Sequence, residues 1–132
     1  MVLKFRAWYK SEKKMKRVYS IGFNEQGEAI SIQDEFADNY EAYAMYDVSD
    51  YELMQSTGIK DKNGVEIYEG DIIHHAEKPN PFFNSPFEII QARTGEWILD
   101  NYQGGTVLAF SQPEELEVIG NIYENPELLE ES

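Results

Sequence analysis

Hydrophobic and polar residues alternate along the first part of the chain, as they do in strands with one solvent-facing side. Residues 2–9 alternate loosely between apolar and basic side chains, and residues 15–23 alternate again. In the second stretch every other residue falls on one side: Met15, Arg17, Tyr19, Ile21 and Phe23. Polar turns separate these stretches from each other and from a third short strand, 28–33. The chain is therefore predicted to open as a β-meander.

Residues 34–57 have a different pattern. They contain neither proline nor glycine, and their aromatic side chains recur at three to four residues: Phe36, Tyr40 and Tyr43. This spacing is typical of a helix and predicts a short helical segment. An irregular aromatic loop is the alternative, because aromatic residues are mediocre helix formers. A short turn at 51–55 is expected to follow.

Residues 57–75 carry the clearest turn signals. The Asn63-Gly64 pair is typical of a tight hairpin in which both central residues have positive φ. A second turn, at 69–71, leads into an apolar strand over 71–75 and is expected to direct Ile72 inward. These signals predict short strands in close succession.

The loop at 77–88 is longer than a usual hairpin connection and contains three prolines and three phenylalanines. Such loops are often functional, but aromatic side chains in loops usually fill small clusters on their own domain. We therefore favour packing of Phe82, Phe83 and Phe87 against the chain itself over a role in binding a partner.

The rest of the chain is predicted to form further strands. Turns divide residues 87–110 into strands, a short helical turn is expected at 112–116, and residues 117–122 form a closing strand. The sequence thus predicts a mainly β protein with a minor helical part. Two lobes are expected, an N-terminal lobe over 1–56 and a C-terminal lobe over 57–132.

Charge is divided unevenly along the chain, whose net charge is −14. Residues 1–17 carry +6 and residues 18–132 carry −20. The aromatic residues within the basic segment suggest nucleic acid, but the overall negative charge opposes general binding to phosphate. The acidic part has the charge density of a DNA mimic that would occupy a basic host protein, although solubility is the simpler explanation.

Cysteine is absent, which agrees with a reducing cytoplasm. No apolar run is long enough for a signal peptide or a membrane span. We therefore expect a soluble, cytoplasmic protein.

Three blocks of the sequence stand out: KFRAWYKSEKKM (4–15), ELMQSTGIKDKNGVEIYEGDII (52–73) and LEVIGNIYENPELL (116–129). Together they resemble the YopX family, which occurs in phages and prophages, mostly of Gram-positive bacteria, and the resemblance implies a bacterial host cell. The resemblance implies a β-rich fold with a small SH3-like barrel in the C-terminal lobe. It implies no catalytic residue and no cofactor. Turn geometry accounts for most of the central block, so we interpret that block as structural.

His74 and His75 are the chain's two histidines. Neighbours in a strand point to opposite faces, so at most one of them can join a given metal site. Nearby carboxylates that could complete such a site are Glu69, Asp71 and Glu77. Without a third histidine or a recognised zinc motif, the sequence predicts no metal, no cofactor and no catalytic residue.

The favoured hypothesis is a non-catalytic module that binds a host or phage protein, or assembles with itself as a homo-oligomer. The candidate surface residues are Phe5, Trp8, Phe82, Phe83 and Phe87. The alternatives are a small metal-assisted hydrolase that uses His74 or His75 with nearby carboxylates, and the acidic DNA mimic.

Overall fold

The structure is a computed structural model that describes residues 4–34, 46–75, 86–101, 106–109 and 116–130. These residues are mainly strand: β1 (Phe5–Tyr9), β2 (Lys14–Phe23), β3 (Ala29–Asp34), β4 (Tyr46–Asp47), β5 (Tyr51–Lys60), β6 (Glu66–Tyr68), β7 (Asp71–His75), β8 (Phe87–Gln91), β9 (Trp97–Asn101), β10 (Thr106–Ala109) and β11 (Leu116–Asn121). A 3-10 turn, Val48–Asp50, and a short helix, α1 (Glu127–Glu130), complete the described elements. No helix in these ranges is long and apolar enough to span a membrane.

The chain divides into two compact units, Met1–Gln55 and Ser56–Ser132. The division lies one residue before the end of the lobe expected over 1–56. It falls within β5, whose first part pairs with β1 and whose last part pairs with β6. All the strand pairs are antiparallel, which confirms a mainly β protein built from antiparallel sheets.

The first unit contains the expected meander. Its strands lie in the order β4-β3-β2-β1-β5, and the pairing of β1 with β2 and of β2 with β3 follows chain order. A small core forms under this sheet from Ala7, Ile32 and Tyr51, all buried. The Tyr9 and Tyr51 rings lie side by side with centroids 5.1 Å apart. Ala7 fits at the centre because larger neighbours surround it from both adjacent strands.

The helical segment expected within 34–57 falls largely on residues 35–45, which lie outside the described part of the chain. The short turn expected at 51–55 is wrong, because these residues form the first half of β5. There Tyr51 and Leu53 take every second position and pack against the core of the first unit. β1 pairs with them along its full length, from Phe5 to Tyr9.

The second unit has its own sheet, with strands in the order β10-β9-β8-β7-β11. Its core consists of six buried side chains: Ile67, Ile73, Phe87, Ile89, Leu99 and Leu116. Ile72 is also fully buried, as expected from the turn before it. Within the described ranges the outermost strands β10 and β11 do not pair, so a closed SH3-like barrel is not confirmed.

The end of β11 makes an unusually close contact with the turn that follows it. A Cβ atom at Gly120 would lie 2.6 Å from Oδ1 and 2.9 Å from Cβ of Asn125, so a side chain at this position would force the following turn to shift. Asn121 fixes the same turn, because its Oδ1 accepts the backbone N–H groups of Tyr123 and Glu124. The strand therefore ends in a turn that its own side chains hold in place.

Candidate functional site

Asp61 opens the loop between β5 and β6 and is 6% exposed. Its Oδ1 accepts the backbone N–H groups of Asn63 at 2.8 Å and Val65 at 2.9 Å. Its Oδ2 accepts the N–H of Val118 in β11, also at 2.9 Å. Burial opposes the charged form, but these backbone donors outweigh it and lower the pKa of Asp61. One carboxylate thus fastens the loop to the closing strand.

The turn geometry differs from the tight hairpin expected at Asn63-Gly64. Gly64 has φ 81°, whereas Asn63 is not among the residues with positive φ. The N–H of Asp61 donates to the carbonyl of Val65, and the N–H of Gly64 donates to the carbonyl of Asp61. The loop is therefore longer than a two-residue hairpin, and one left-handed glycine closes it. The expectation of two positive-φ residues is wrong.

The side chain of Asn63 extends to a second polar contact. Its Nδ2 donates to Oε2 of Glu117 at 3.2 Å. The other carboxylate oxygen, Oε1, lies 2.8 Å from Nε2 of His74, the residue directly opposite Glu117 in the β7–β11 pair. The hydrogen bond from His74, followed by that from Asn63, lowers the pKa of Glu117, and the charge of Lys62 adds to the effect.

We call these four residues the loop cluster: Asp61, Asn63, His74 and Glu117. It joins the central and the C-terminal sequence blocks. His74 contacts Glu117, whereas the sequence offered Glu69, Asp71 and Glu77 as the nearby carboxylates. Asp71 is buried and accepts the N–H of Tyr68 at 2.7 Å. Glu77 and the side chain of His75 lie outside the described part of the chain.

The loop cluster contains a half-exposed histidine–carboxylate pair, in which Nε2 of His74 lies 2.8 Å from Oε1 of Glu117. Its other carboxylate, that of Asp61, has both oxygens engaged by backbone N–H groups. Among the described residues no set of three or more His, Asp or Glu side chains could hold a metal ion. Its clear role is to fix the β5–β6 loop and β11 against each other.

The candidate surface residues lie in different environments. Phe5 and Trp8 are half-buried in β1, between β2 and β5. Phe87 is 1% exposed and belongs to the core of the second unit, so it is not a surface residue. Phe82 and Phe83 lie outside the described part of the chain. Phe5 and Trp8, an odd number of positions apart in one strand, lie on opposite faces of their sheet.

The exposed large hydrophobic side chains of the described ranges are different residues: Tyr19, Phe23, Ile30 and Val65. Three of these four lie on the β2–β3 hairpin. The alternation over 15–23 placed Tyr19 and Phe23 on one side of a strand. The alternation did not indicate that this part of the strand extends beyond the core.

The chain is thus an antiparallel β protein of two units. In its second unit the loop cluster attaches the β5–β6 loop to strand β11. The chain belongs to the YopX family, since the family model described as YopX protein matches residues 4–130. It is similar to the crystal structure of protein EF1440 from Enterococcus faecalis, with 34% identity and a TM-score of 0.73, covering 98% of this chain and 99% of that one.

The crystal structure of protein yopX from Bacillus subtilis is similar in fold. Its identity to this chain is 22% and its TM-score 0.62, with 96% of this chain and 97% of that chain covered. No curated protein matches the sequence.

The His74–Glu117 contact predicts a specific acid sensitivity. The pKa of Glu117 is lowered in the folded chain, so its charged form stabilises the fold above the ordinary value of 4.5. This contribution is lost as the pH falls through the lower, folded-state value. We expect Glu117→Gln to lose less stability than the wild type between about pH 5 and pH 3, measured by urea unfolding.

Glu96→Gln is the matched control for this experiment, because it removes one negative charge at an exposed position in the turn between β8 and β9. Equal pH profiles for Glu117→Gln and Glu96→Gln would show that the contact with His74 does not contribute to acid stability.

Proposed function

We propose that this chain is a phage or prophage protein that acts as a non-catalytic protein-interaction module in the host cytoplasm. The observation that carries the proposal is the concentration of exposed apolar side chains on one hairpin. Tyr19, Phe23 and Ile30 are 54%, 60% and 49% exposed, whereas most other large apolar side chains of the described ranges are at least partly covered. A local concentration of exposed apolar surface is typical of an interaction site.

The polar groups of the loop cluster have a structural role. The carboxylate of Asp61 is engaged by three backbone donors, and that of Glu117 by His74 and Asn63. Groups held in this way stabilise the β5–β6 loop and its attachment to β11 within the second unit. The acidic DNA-mimic hypothesis stays a prediction that rests on net charge alone.

The test is affinity capture from bacterial lysate followed by reconstitution with purified components. The wild-type chain and a Phe23→Ser variant serve as baits, and each captured protein is purified and titrated against both. We expect the wild-type chain to form a complex of defined stoichiometry with a captured protein, which can be a second copy of the chain itself. We expect Phe23→Ser to bind that protein at least tenfold more weakly.

Val65→Ser is the control bait, because Val65 is similarly exposed, at 48%, but lies in the second unit. The proposal fails if no binary complex can be reconstituted. It also fails if the purified chain shows metal-dependent hydrolysis that a His74→Ala/His75→Ala double variant abolishes.

A further inference from the structure

Asn63 and Gly64 form the chain's one Asn-Gly pair, and they lie in the exposed loop between β5 and β6. Asparagine is a labile residue, because the backbone nitrogen of the next residue can attack its amide carbon. Glycine makes this approach easy, since it carries no side chain to obstruct it. The reaction is intramolecular and needs only water as a co-reactant. The pair is therefore a candidate site of spontaneous deamidation.

The reaction begins when the backbone nitrogen of Gly64 loses its proton to solvent and attacks Cγ of Asn63 with its electron pair. A bond forms between these two atoms, the bond from Cγ to Nδ2 breaks, and Nδ2 takes up a proton and leaves as ammonia. Water then opens the resulting five-membered ring. Opening at Cγ gives aspartate, and opening at the backbone carbonyl of Asn63 gives isoaspartate. One water is consumed and one ammonia is released.

The folded loop holds both reacting groups. The N–H of Gly64 donates to the carbonyl of Asp61 at 3.0 Å. Nδ2 of Asn63 donates to Oε2 of Glu117 at 3.2 Å. The backbone beside them is fixed as well, because Oδ1 of Asp61 accepts the N–H of Asn63 at 2.8 Å. The attack requires Gly64 to give up the proton that it donates and Asn63 to give up its contact with Glu117. The intact loop therefore opposes the reaction, and an opened loop permits it.

The product fits the loop less well than asparagine does. Deamidation replaces the donor Nδ2 with a carboxylate oxygen beside Oε2 of Glu117, so two negative charges meet where a hydrogen bond was. Isoaspartate also lengthens the backbone by one carbon between the N–H groups of Asn63 and Val65, which Asp61 holds together. Either product is expected to keep the loop from closing again.

We propose that Asn63 is a deamidation site protected by the loop cluster, so that opening of the β5–β6 loop is converted into a permanent chemical change. The contacts with Asp61 and Glu117 set how long the chain keeps this amide. The site does not depend on the proposed function, because it lies in the second unit and reacts without a binding partner.

The test is peptide mapping by mass spectrometry of the full-length chain during incubation at neutral pH. We expect Asn63 to lose its amide at least about tenfold more slowly in the folded chain than in the chain unfolded by guanidinium chloride, since the loop must open first. Glu117→Ala releases the amide of Asn63 and leaves the bonds of Asp61 in place. Its folded form is expected to react at least about threefold faster than the folded wild type, the effect of losing one hydrogen bond.

Asn24 is the control within each sample. Its Nδ2 also donates to a carboxylate, that of Glu28, but the residue that follows it is Glu25, whose side chain obstructs the attack. Its amide is expected to react at one slow rate in the folded wild type and in Glu117→Ala.

Hydrogen exchange distinguishes opening of the loop from loss of the fold. In Glu117→Ala, exchange at Gly64 and Val65 is expected to rise in the same proportion as deamidation, while exchange in β8 stays unchanged. Faster exchange in β8 would mean that the variant has lost its fold, and the comparison of the folded with the unfolded wild type then decides alone.

Asn63→Asp carries the charge of the product, and Asn63→Ala removes the same donor without adding a charge. Exchange at Val65 is expected to be faster in Asn63→Asp, and equal exchange in the two variants would overturn the permanence of the change. Protection by the loop is overturned if Asn63 reacts as fast in the folded wild type as in the unfolded chain, or if it stays intact in both. A Glu117→Ala variant that keeps its fold and reacts no faster than the wild type also overturns it.

Discussion

Replacing Phe87 with alanine is expected to destabilise the protein by about 3–5 kcal/mol, the usual cost of removing a buried phenylalanine side chain. Phe87 is 1% exposed and lies in the core of the second unit with Ile73, Ile89 and Leu99. Removing its ring leaves a cavity that the rigid strands around it fill only in part. The free energy of unfolding, measured by urea denaturation, checks this expectation.

Phe23→Ala is the matched control, since it deletes the same side chain at a position that is 60% exposed. Its effect on the stability of the monomer is expected to stay within about 0.5 kcal/mol. A similar loss in the two variants would contradict the placement of Phe87 in the core. The comparison also separates the two roles of phenylalanine in this chain, one in core packing and one on the exposed hairpin that we propose as an interaction surface.

Asp61→Ala is expected to cost roughly 3–5 kcal/mol, because it leaves three backbone donors without their acceptor in a buried place. The donors belong to Asn63, Val65 and Val118, so the change loosens the β5–β6 loop and its attachment to β11 together. Asp61→Asn keeps one acceptor oxygen and is expected to cost less. Urea unfolding gives the free energies, and hydrogen exchange at Val65 and Val118 shows whether both sites open.

Asp47 provides the control for this second experiment. It also accepts a backbone N–H, that of Ser49 at 2.8 Å, but it is exposed and bonds a residue within its own turn. Asp47→Ala is therefore expected to have a much smaller effect than Asp61→Ala. Equal effects would mean that burial and the bond to β11 do not matter for Asp61.

Local patterns were sufficient to predict the first three strands and the turns that separate them. Alternation and turn residues act over a few positions, and they are visible without knowledge of the partner strand. The pattern of residues 51–55 did not predict the first half of β5. These residues follow a stretch with helical spacing, and the alternation of Tyr51 and Leu53 is too short to indicate a strand by itself. Barrel closure depends on pairing between distant strands, so the turn signals did not determine it.

The loop cluster shows the same limit. The Asn63-Gly64 pair is a known turn signal, and it predicted a turn at this place. That the carboxylate of Asp61 fixes this loop and also holds Val118 follows only from the position of β11. Glu117 meets His74 because β7 and β11 pair, which no spacing in the sequence reveals. The sequence therefore offered Glu69 and Asp71, which are near in the chain, as partners of His74.

Gly120 and Asn125 constrain how relatives of this chain can diverge. A Cβ atom at 120 would lie within 3.0 Å of Oδ1, Cγ and Cβ of Asn125, so a substitution there requires the turn around Asn125 to shift. That shift has its own cost, since Oδ1 of Asn125 accepts the N–H of Asn121 at 3.3 Å. The two positions are therefore coupled, and we expect homologues that carry a side chain at 120 to differ in this turn as well.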